Sequence, residues 1–243
     1  MAAQSFVPLS WDAPRPTLET NIVGTVNILD AVRHFSPETR VHVAGSSEEY
    51  GMVNPDECPI TEQQPLRPLS PYEVSKVAAD LLAQQYYRSY GTHTIITRAF
   101  NHTGPRRGEQ FVTSKIARQL ALISRGGAEP ILTLGNLEAV RDFTDVRDMV
   151  KAYTLAVERC QPGIPYNIGT GKGYTVAEVA RLLKKVSGVD VAIKQDPLLM
   201  RPSDVPRLIA DSTTFKWATG WEPKIQFEQT MWDLFNYWVE TLR

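Results

Sequence analysis

Gly45-Ser46-Ser47-Glu48-Glu49-Tyr50-Gly51, followed by Ser70-Pro71-Tyr72-Glu73-Val74-Ser75-Lys76, decides how the rest of this chain is read. Tyr72 and Lys76 are four residues apart, so on a helix they share one face. A cation held beside a phenol favours phenolate and lowers a pKa that starts at about 10. That makes a tyrosine a usable acid or base near neutral pH. Ser46 stands where the apolar run Val41-His42-Val43-Ala44 gives way to a loop. A hydroxyl there can hold the same substrate oxygen that Tyr72 protonates or deprotonates. Alone, a Tyr-x-x-x-Lys spacing is more often a surface pair; the Ser46 loop and the segments below favour chemistry.

The bulk numbers set the frame. The chain has 243 residues, 42% hydrophobic and 22% charged, which suits a globular protein with a sizeable core in one or two domains. A net charge of -1 argues against nonspecific binding of nucleic acid or an anionic membrane. Cys58 and Cys160 lie far apart and match no metal spacing. No membrane span and no secretory signal is visible, so a cytoplasmic location is the default expectation.

Working outward, Leu18, Ile22, Val26 and Leu29 predict an amphipathic helix over about 17–34. Val41–Ala44 reads as a buried strand, 52–71 as a proline-rich loop, and 72–90 as a helix stopped by Gly91. Strands are expected at 94–97, 131–134, 166–168 and 191–194. Helices are expected at about 111–125, from the Asp145 cap to about Arg159, from the Thr175…Glu178 capping box to about Val186, and at about 227–241. The stripe Phe227, Met231, Leu234, Phe235, Trp238 reads as core packing. Strands alternating with helices predict an α/β fold with a parallel, doubly wound sheet. Residues 1–105 read as its sheet domain and 106–243 mainly as a smaller, interleaved α/β lobe, with a cleft between them.

Ser46, Tyr72 and Lys76 match the Ser/Thr…Tyr-x-x-x-Lys signature of the short-chain dehydrogenase/reductases, and the surrounding segments resemble the extended, nucleotide-sugar branch. The resemblance covers nearly the whole chain and implies a Rossmann-type sheet and an NADP or NAD cofactor. It also implies a nucleotide-sugar substrate, with Ser46, Glu48, Tyr72 and Lys76 as the catalytic set. Glu48 matches the acid two positions after the catalytic Ser/Thr in nucleotide-sugar 4,6-dehydratases. Ser47 stands where dTDP-glucose dehydratases carry Asp, as in GDP-mannose dehydratases. Such a base can take the C5 proton of a 4-keto sugar while the C6 hydroxyl leaves. Related reductases carry a similar segment, so Glu48 also reads as an ordinary loop acid.

Phe100-Asn101-His102-Thr103-Gly104-Pro105-Arg106-Arg107-Gly108 resembles GDP-mannose 4,6-dehydratases. It implies Asn101 on the sugar or phosphate, Arg107 on the diphosphate and His102 toward the cofactor. Two adjacent arginines are otherwise usually solvated. Val112 and Lys115 resemble the segment along the nucleotide, with Ser47 also assigned to substrate; Arg141, Arg201 and Asp204 resemble diphosphate, phosphate and base or ribose contacts. Thr144–Asp148 looks more like a reductase.

The opening, Met1–Val7, resembles the segment after the family's fourth strand and implies Ala3, Ser5 and Asn21 as further cofactor contacts. No Gly-x-x-Gly-x-x-Gly-type turn precedes it, although that turn is where a pyrophosphate meets a helix N-terminus. The expectation is a chain lacking the family's first portion, with weak cofactor binding and an unpaired sheet edge. The leading reading is a GDP-mannose 4,6-dehydratase-like enzyme, a homodimer or homotetramer when full length. Alternatives are a GDP-4-keto-6-deoxymannose reductase, another extended-family epimerase, or a non-catalytic remnant.

Overall fold

The computed structural model describes residues 3–200 and 205–242. Short helices α1 (Val7–Asp12) and α2 (Pro14–Leu18) open the chain, and a π-helical turn at Glu19–Val23 leads into α3 (Gly24–Phe35). The helix expected over 17–34 is therefore present, but with a wider turn inside it. Strand β1 (Val41–Ala44) follows, then a loop and the long helix α4 (Pro71–Tyr90). Ser70 caps α4 by accepting the Glu73 amide, Pro71 fills the first turn, and Gly91 ends it at φ 71°.

Next come β2 (Thr94–Ala99), β3 (Asn101–Thr103), α5 (Val112–Ile123), β4 (Ile131–Leu134) and β5 (Val140–Asp145). The remaining elements are α6 (Val146–Arg159), β6 (Pro165–Ile168), β7 (Gly173–Thr175), α7 (Val176–Ser187), β8 (Ala192–Gln195), β9 (Arg207–Leu208), α8 (Thr213–Thr219) and α9 (Phe227–Thr241). Asp145 caps α6 through the Arg147 amide, and the Thr175–Glu178 capping box opens α7.

Strands β1, β2 and β6 form a parallel sheet in that order. One face packs Val43 and Ile96 against Leu29 of α3 and Ala79, Ala83 and Tyr86 of α4. The other packs Ile95 and Ile168 against Met149 and Ala152 of α6 and Phe215 of α8. This two-sided burial is what a parallel sheet requires, and it makes the α/β architecture Rossmann-like. The third strand comes from residues 165–168, so the C-terminal half returns to complete the first sheet.

Beyond it, β5 pairs with β3 and β9 in parallel and with β7 antiparallel, while β4 pairs with β8. Helices α5, α7 and α9 close a separate core with Leu120, Leu132, Leu183, Met231 and Leu234 fully buried. Each such side chain removed from water contributes about 2 kcal/mol. The apolar stripe of α9 lies in this core, and Trp238 reaches across it to donate Nε1–H to Ser114 Oγ at 2.8 Å. No helix among the described residues is long and apolar enough to cross a membrane.

Candidate active site

Strand β1 ends at Ala44, and the chain turns at once into a 3-10 turn, Ser47–Tyr50. Ser46 caps that turn: its Oγ accepts the Glu48 amide at 3.2 Å, and its own amide donates to Glu49 Oε1 at 2.7 Å. The reciprocal cap freezes the Ser46 hydroxyl at the end of the strand. Gly51 closes the turn at φ 56°; a Cβ there would stand 1.8 Å from the Arg67 carbonyl oxygen, so only glycine fits.

Helix α4 brings Tyr72 and Lys76 to this loop. The Tyr72 hydroxyl and the Ser46 side chain line the same cleft, close enough for Ser46 to favour the phenolate. Lys76 Nζ lies 5.9 Å from the Tyr72 ring centroid and donates to the Ala44 carbonyl at 2.9 Å, tying the helix to the strand end. Burial pulls the Lys76 pKa below its ordinary value. Burial also holds the Tyr72 phenol above its ordinary value, against the opposing effect of Ser46. That corrects the expectation of a lowered phenol: desolvation outweighs the favourable contacts, and the cation acting on Tyr72 is Arg107, with Glu48 opposing it.

These groups face a cleft of about 380 Å³ between the first sheet and the C-terminal lobe. Of the residues singled out from sequence, Ser5, Ser46, Ser47, Glu48, Tyr72, Asn101, His102, Arg107, Val112, Lys115 and Arg141 line it together. Asn101 is on β3 and its Oδ1 is buried without a hydrogen-bond partner, an acceptor waiting for a donor. His102 is buried, with Nδ1 3.2 Å from the Phe100 carbonyl, and burial lowers its pKa and keeps the ring neutral. The two arginines part company. Arg106 takes a left-handed φ of 71° and is exposed. Arg107 turns inward and stacks 3.4 Å over the Phe111 ring. Burial lowers its pKa, while Tyr72 and Tyr153 oppose that. Arg141, on β5, donates to the carbonyls of Val140 and Val205.

Other assigned residues lie elsewhere. Lys76 sits behind Tyr72, outside the lining. Asn21 donates to the Gln4 carbonyl and Ser75 Oγ and accepts the Gln4 amide, so it brackets the N-terminal segment to α4. Ala3 is exposed on that segment. Arg201 and Asp204 lie outside the described residues. Phe6, Gln110, Phe111 and Leu199 also line the cleft and were not read from the sequence. Phe111 is the aromatic base for Arg107, and its position beside the Arg-Arg pair was the available signal.

A serine, a tyrosine and a lysine gathered where a parallel strand meets a cleft, with Arg107, Lys115 and Arg141 also lining that cleft, is the layout of a short-chain dehydrogenase/reductase site suited to an anionic substrate. The family model described as GDP-mannose 4,6 dehydratase matches residues 1–234. The GDP-6-deoxy-D-mannose reductase of Pseudomonas aeruginosa is 32% identical over 243 residues, covering 100% of this chain and 80% of the relative. The GDP-mannose 4,6-dehydratase of Yersinia enterocolitica is 34% identical, covering 94% of this chain and 69% of the relative. Among solved structures, RMD from Pseudomonas aeruginosa complexed with NADPH superposes with a TM-score of 0.94 at 32% identity, covering 99% of this chain and 80% of that one. The chain belongs to the GDP-mannose 4,6-dehydratase family, within the extended short-chain dehydrogenase/reductases.

Proposed function

We propose that the chain is an NAD(P)-dependent nucleotide-sugar enzyme that converts a GDP-hexose to its 4-keto-6-deoxy form, as a GDP-mannose 4,6-dehydratase does. The observation that carries the reading is Glu48, which lines the same cleft as Ser46 and Tyr72. A carboxylate beside a hydroxyl-activating pair supplies the second base that dehydration needs and simple carbonyl reduction does not.

The residues present fit a nicotinamide cofactor. Lys76 is a half-buried three-proton donor that gives one hydrogen bond to the Ala44 carbonyl, which leaves protons for a ribose diol. Tyr72, Lys76, Ser5 and His102 are proposed to hold the cofactor, with Ala3 and Asn21 acting through the N-terminal segment. When bound, the cofactor takes up a hydride at the start of the cycle and returns one at the end.

This chain's residues handle the protons. Ser46 holds the C4 hydroxyl, and Tyr72 takes the proton from O4. Because burial disfavours phenolate, a substrate hydroxyl and the Lys76 and Arg107 charges are needed to bring it into range. Glu48 removes the C5 proton once C4 is a carbonyl and passes it to the C6 hydroxyl, which departs as water. Arg107, Lys115, Arg141 and Arg201 are proposed to neutralise the diphosphate, Asn101 to bind the sugar, and Ser47, Val112 and Asp204 to complete the nucleotide-sugar site. In this reading residues 1–105 chiefly carry the cofactor side and 106–243 the substrate side.

A second reading, GDP-4-keto-6-deoxymannose reductase, is favoured by the match to 80% of the Pseudomonas reductase. There Tyr72 donates its proton to O4 and Glu48 has no chemical task. GDP-mannose with catalytic cofactor separates the two: a 4-keto product without net cofactor consumption is expected, and Glu48→Gln should lower its rate by about 100-fold or more. Turnover that requires a 4-keto sugar and stoichiometric reduced cofactor would refute the dehydratase assignment.

We further propose a cytoplasmic enzyme that dimerises through α3 and α4. Their outer faces expose Ile28 at 58% and Leu81 at 51%, an apolar surface that association would cover.

A further inference from the structure

Behind the Ser46 loop lies a dry cluster of charge that the reaction above leaves unused. Glu49 comes from the loop, Asp80 from α4 and Arg98 from β2, and their side chains are 0%, 0% and 4% exposed. Arg98 Nε is 2.9 Å from Asp80 Oδ2 and 3.4 Å from Glu49 Oε2. Glu49 Oε1 accepts the Ser46 amide at 2.7 Å. Gly45 makes the room: a Cβ there would stand 2.5 Å from that same oxygen. Arg98 also donates to the Tyr50 hydroxyl and the Glu62 carbonyl, both at 3.2 Å, and Tyr50 donates to Asn167 Oδ1 at 2.7 Å.

Two buried carboxyls therefore share one guanidinium. Glu49 Oε2 is buried with no hydrogen-bond partner of its own, and the Asp80 carboxyl is its neighbour across the shared Arg98 Nε. If both acids were ionised, Glu49 Oε2 would be a dry anionic oxygen with no donor, since Arg98 Nε is given to Asp80 and the Lys76 ammonium to the Ala44 carbonyl. One proton on Glu49 Oε2, donated toward Asp80, satisfies the orphaned oxygen and leaves Arg98 to a single carboxylate. Burial first, and Asp80 second, drive the Glu49 carboxyl well above the usual carboxylate range.

We propose that Glu49 is a neutral acid that clamps the Ser46 loop to the reactive face of α4, and so acts as a positioning residue for the Ser46–Tyr72 pair. Tyr72, Lys76 and Asp80 are spaced four apart on that helix, so a hold on Asp80 is a hold on both. The groups facing Glu49 are Asp80, Lys76 and Tyr72 from α4, Arg98 from β2 and Tyr50 from its own loop, with Glu62 behind Arg98. The positioning role rests on the reaction proposed above; the buried proton does not.

Two variants of the full chain test it. Glu49→Gln replaces the O–H donor with an N–H and keeps both hydrogen bonds without a titratable proton. Glu49→Met keeps the length and makes neither. In infrared difference spectra at neutral pH, the wild type should show a protonated-carboxyl band that Glu49→Gln lacks. The folded state also keeps a proton that an unfolded glutamate sheds above a pKa of about 4.3. Wild type should then lose stability relative to Glu49→Gln as pH rises from about 5, by up to about tenfold in the unfolding constant per pH unit. No band, or a constant or reversed difference across pH, overturns the buried proton. With turnover measured, Glu49→Met should lower kcat by about tenfold or more at little-changed KM, and Glu49→Gln should restore it. Failure of that rescue overturns the clamp. An inactive wild type with the infrared band intact instead counts against the proposed reaction.

Discussion

His42 offers a sharp test of how tightly the first sheet excludes water. Its ring projects from β1 into the layer beneath α6, 2.8 Å from Thr97 Oγ1 and tilted against the Tyr153 ring at a centroid distance of 4.7 Å. Burial, and then the Lys76 charge, lower its pKa from 6.5 to about 4. An unfolded histidine takes up a proton near pH 6.5, whereas the folded one resists until about pH 4. The stabilisation is therefore whole above pH 6.5 and is lost as pH falls through that window. At about 1.4 kcal/mol per pH unit, the gap amounts to about 3 kcal/mol. His42→Gln keeps a partner for Thr97 and cannot titrate. Urea unfolding of both proteins between about pH 7.5 and pH 4 isolates the effect, because the common carboxylates cancel in the difference. Wild type should lose about 3 kcal/mol relative to the variant across that range. A difference that stays constant would mean that His42 is hydrated in solution, and the dry packing between β1 and α6 would be wrong.

Gly51→Ala should cost about 3 kcal/mol or more, because both the left-handed backbone and the Arg67 carbonyl exclude a methyl group; a thermal midpoint near wild type would refute the tight turn. Tyr72→Phe should leave stability little changed while lowering turnover by about 100-fold or more, measured by cofactor absorbance and product analysis. Leu81→Glu should shift the protein toward monomer in sedimentation without altering its circular dichroism spectrum; an unchanged sedimentation coefficient would remove α4 from the proposed interface.

Where burial and local chemistry agreed, the sequence was easy to read. Val41–Ala44 and Ile131–Leu134 are short apolar runs and are strands with those bounds. Asp145 and the Thr175–Glu178 pair start helices where their side chains can take up orphan amides. The stripe from Phe227 gave α9 its place in the C-terminal core. The polar strands were not legible. Asn101–Thr103 and Val140–Asp145 show no apolar alternation, because several of their inward-facing groups are polar and take partners that only the folded chain supplies. Asp142, for instance, accepts the amides of Thr170, Gly171 and Ala210. The site was partly legible for the same reason. A spacing of four gave the shared face of Tyr72 and Lys76, but the direction of the Tyr72 pKa depends on burial, which spacing does not encode. Nor did adjacency in sequence tell that Arg106 turns out while Arg107 turns in; the backbone angle at residue 106 decides that.

The common face of residues 72, 76 and 80 on α4 makes that helix a ruler as well as a support. A one-residue insertion between Tyr72 and Lys76 would swing everything beyond it by about 100°, carrying the ammonium off the strand end and the carboxyl off its guanidinium together. The solvent side, by contrast, is open to redecoration at Val74. Variation in this segment should therefore appear as exchanges of side chain on the outward face, with its length held constant.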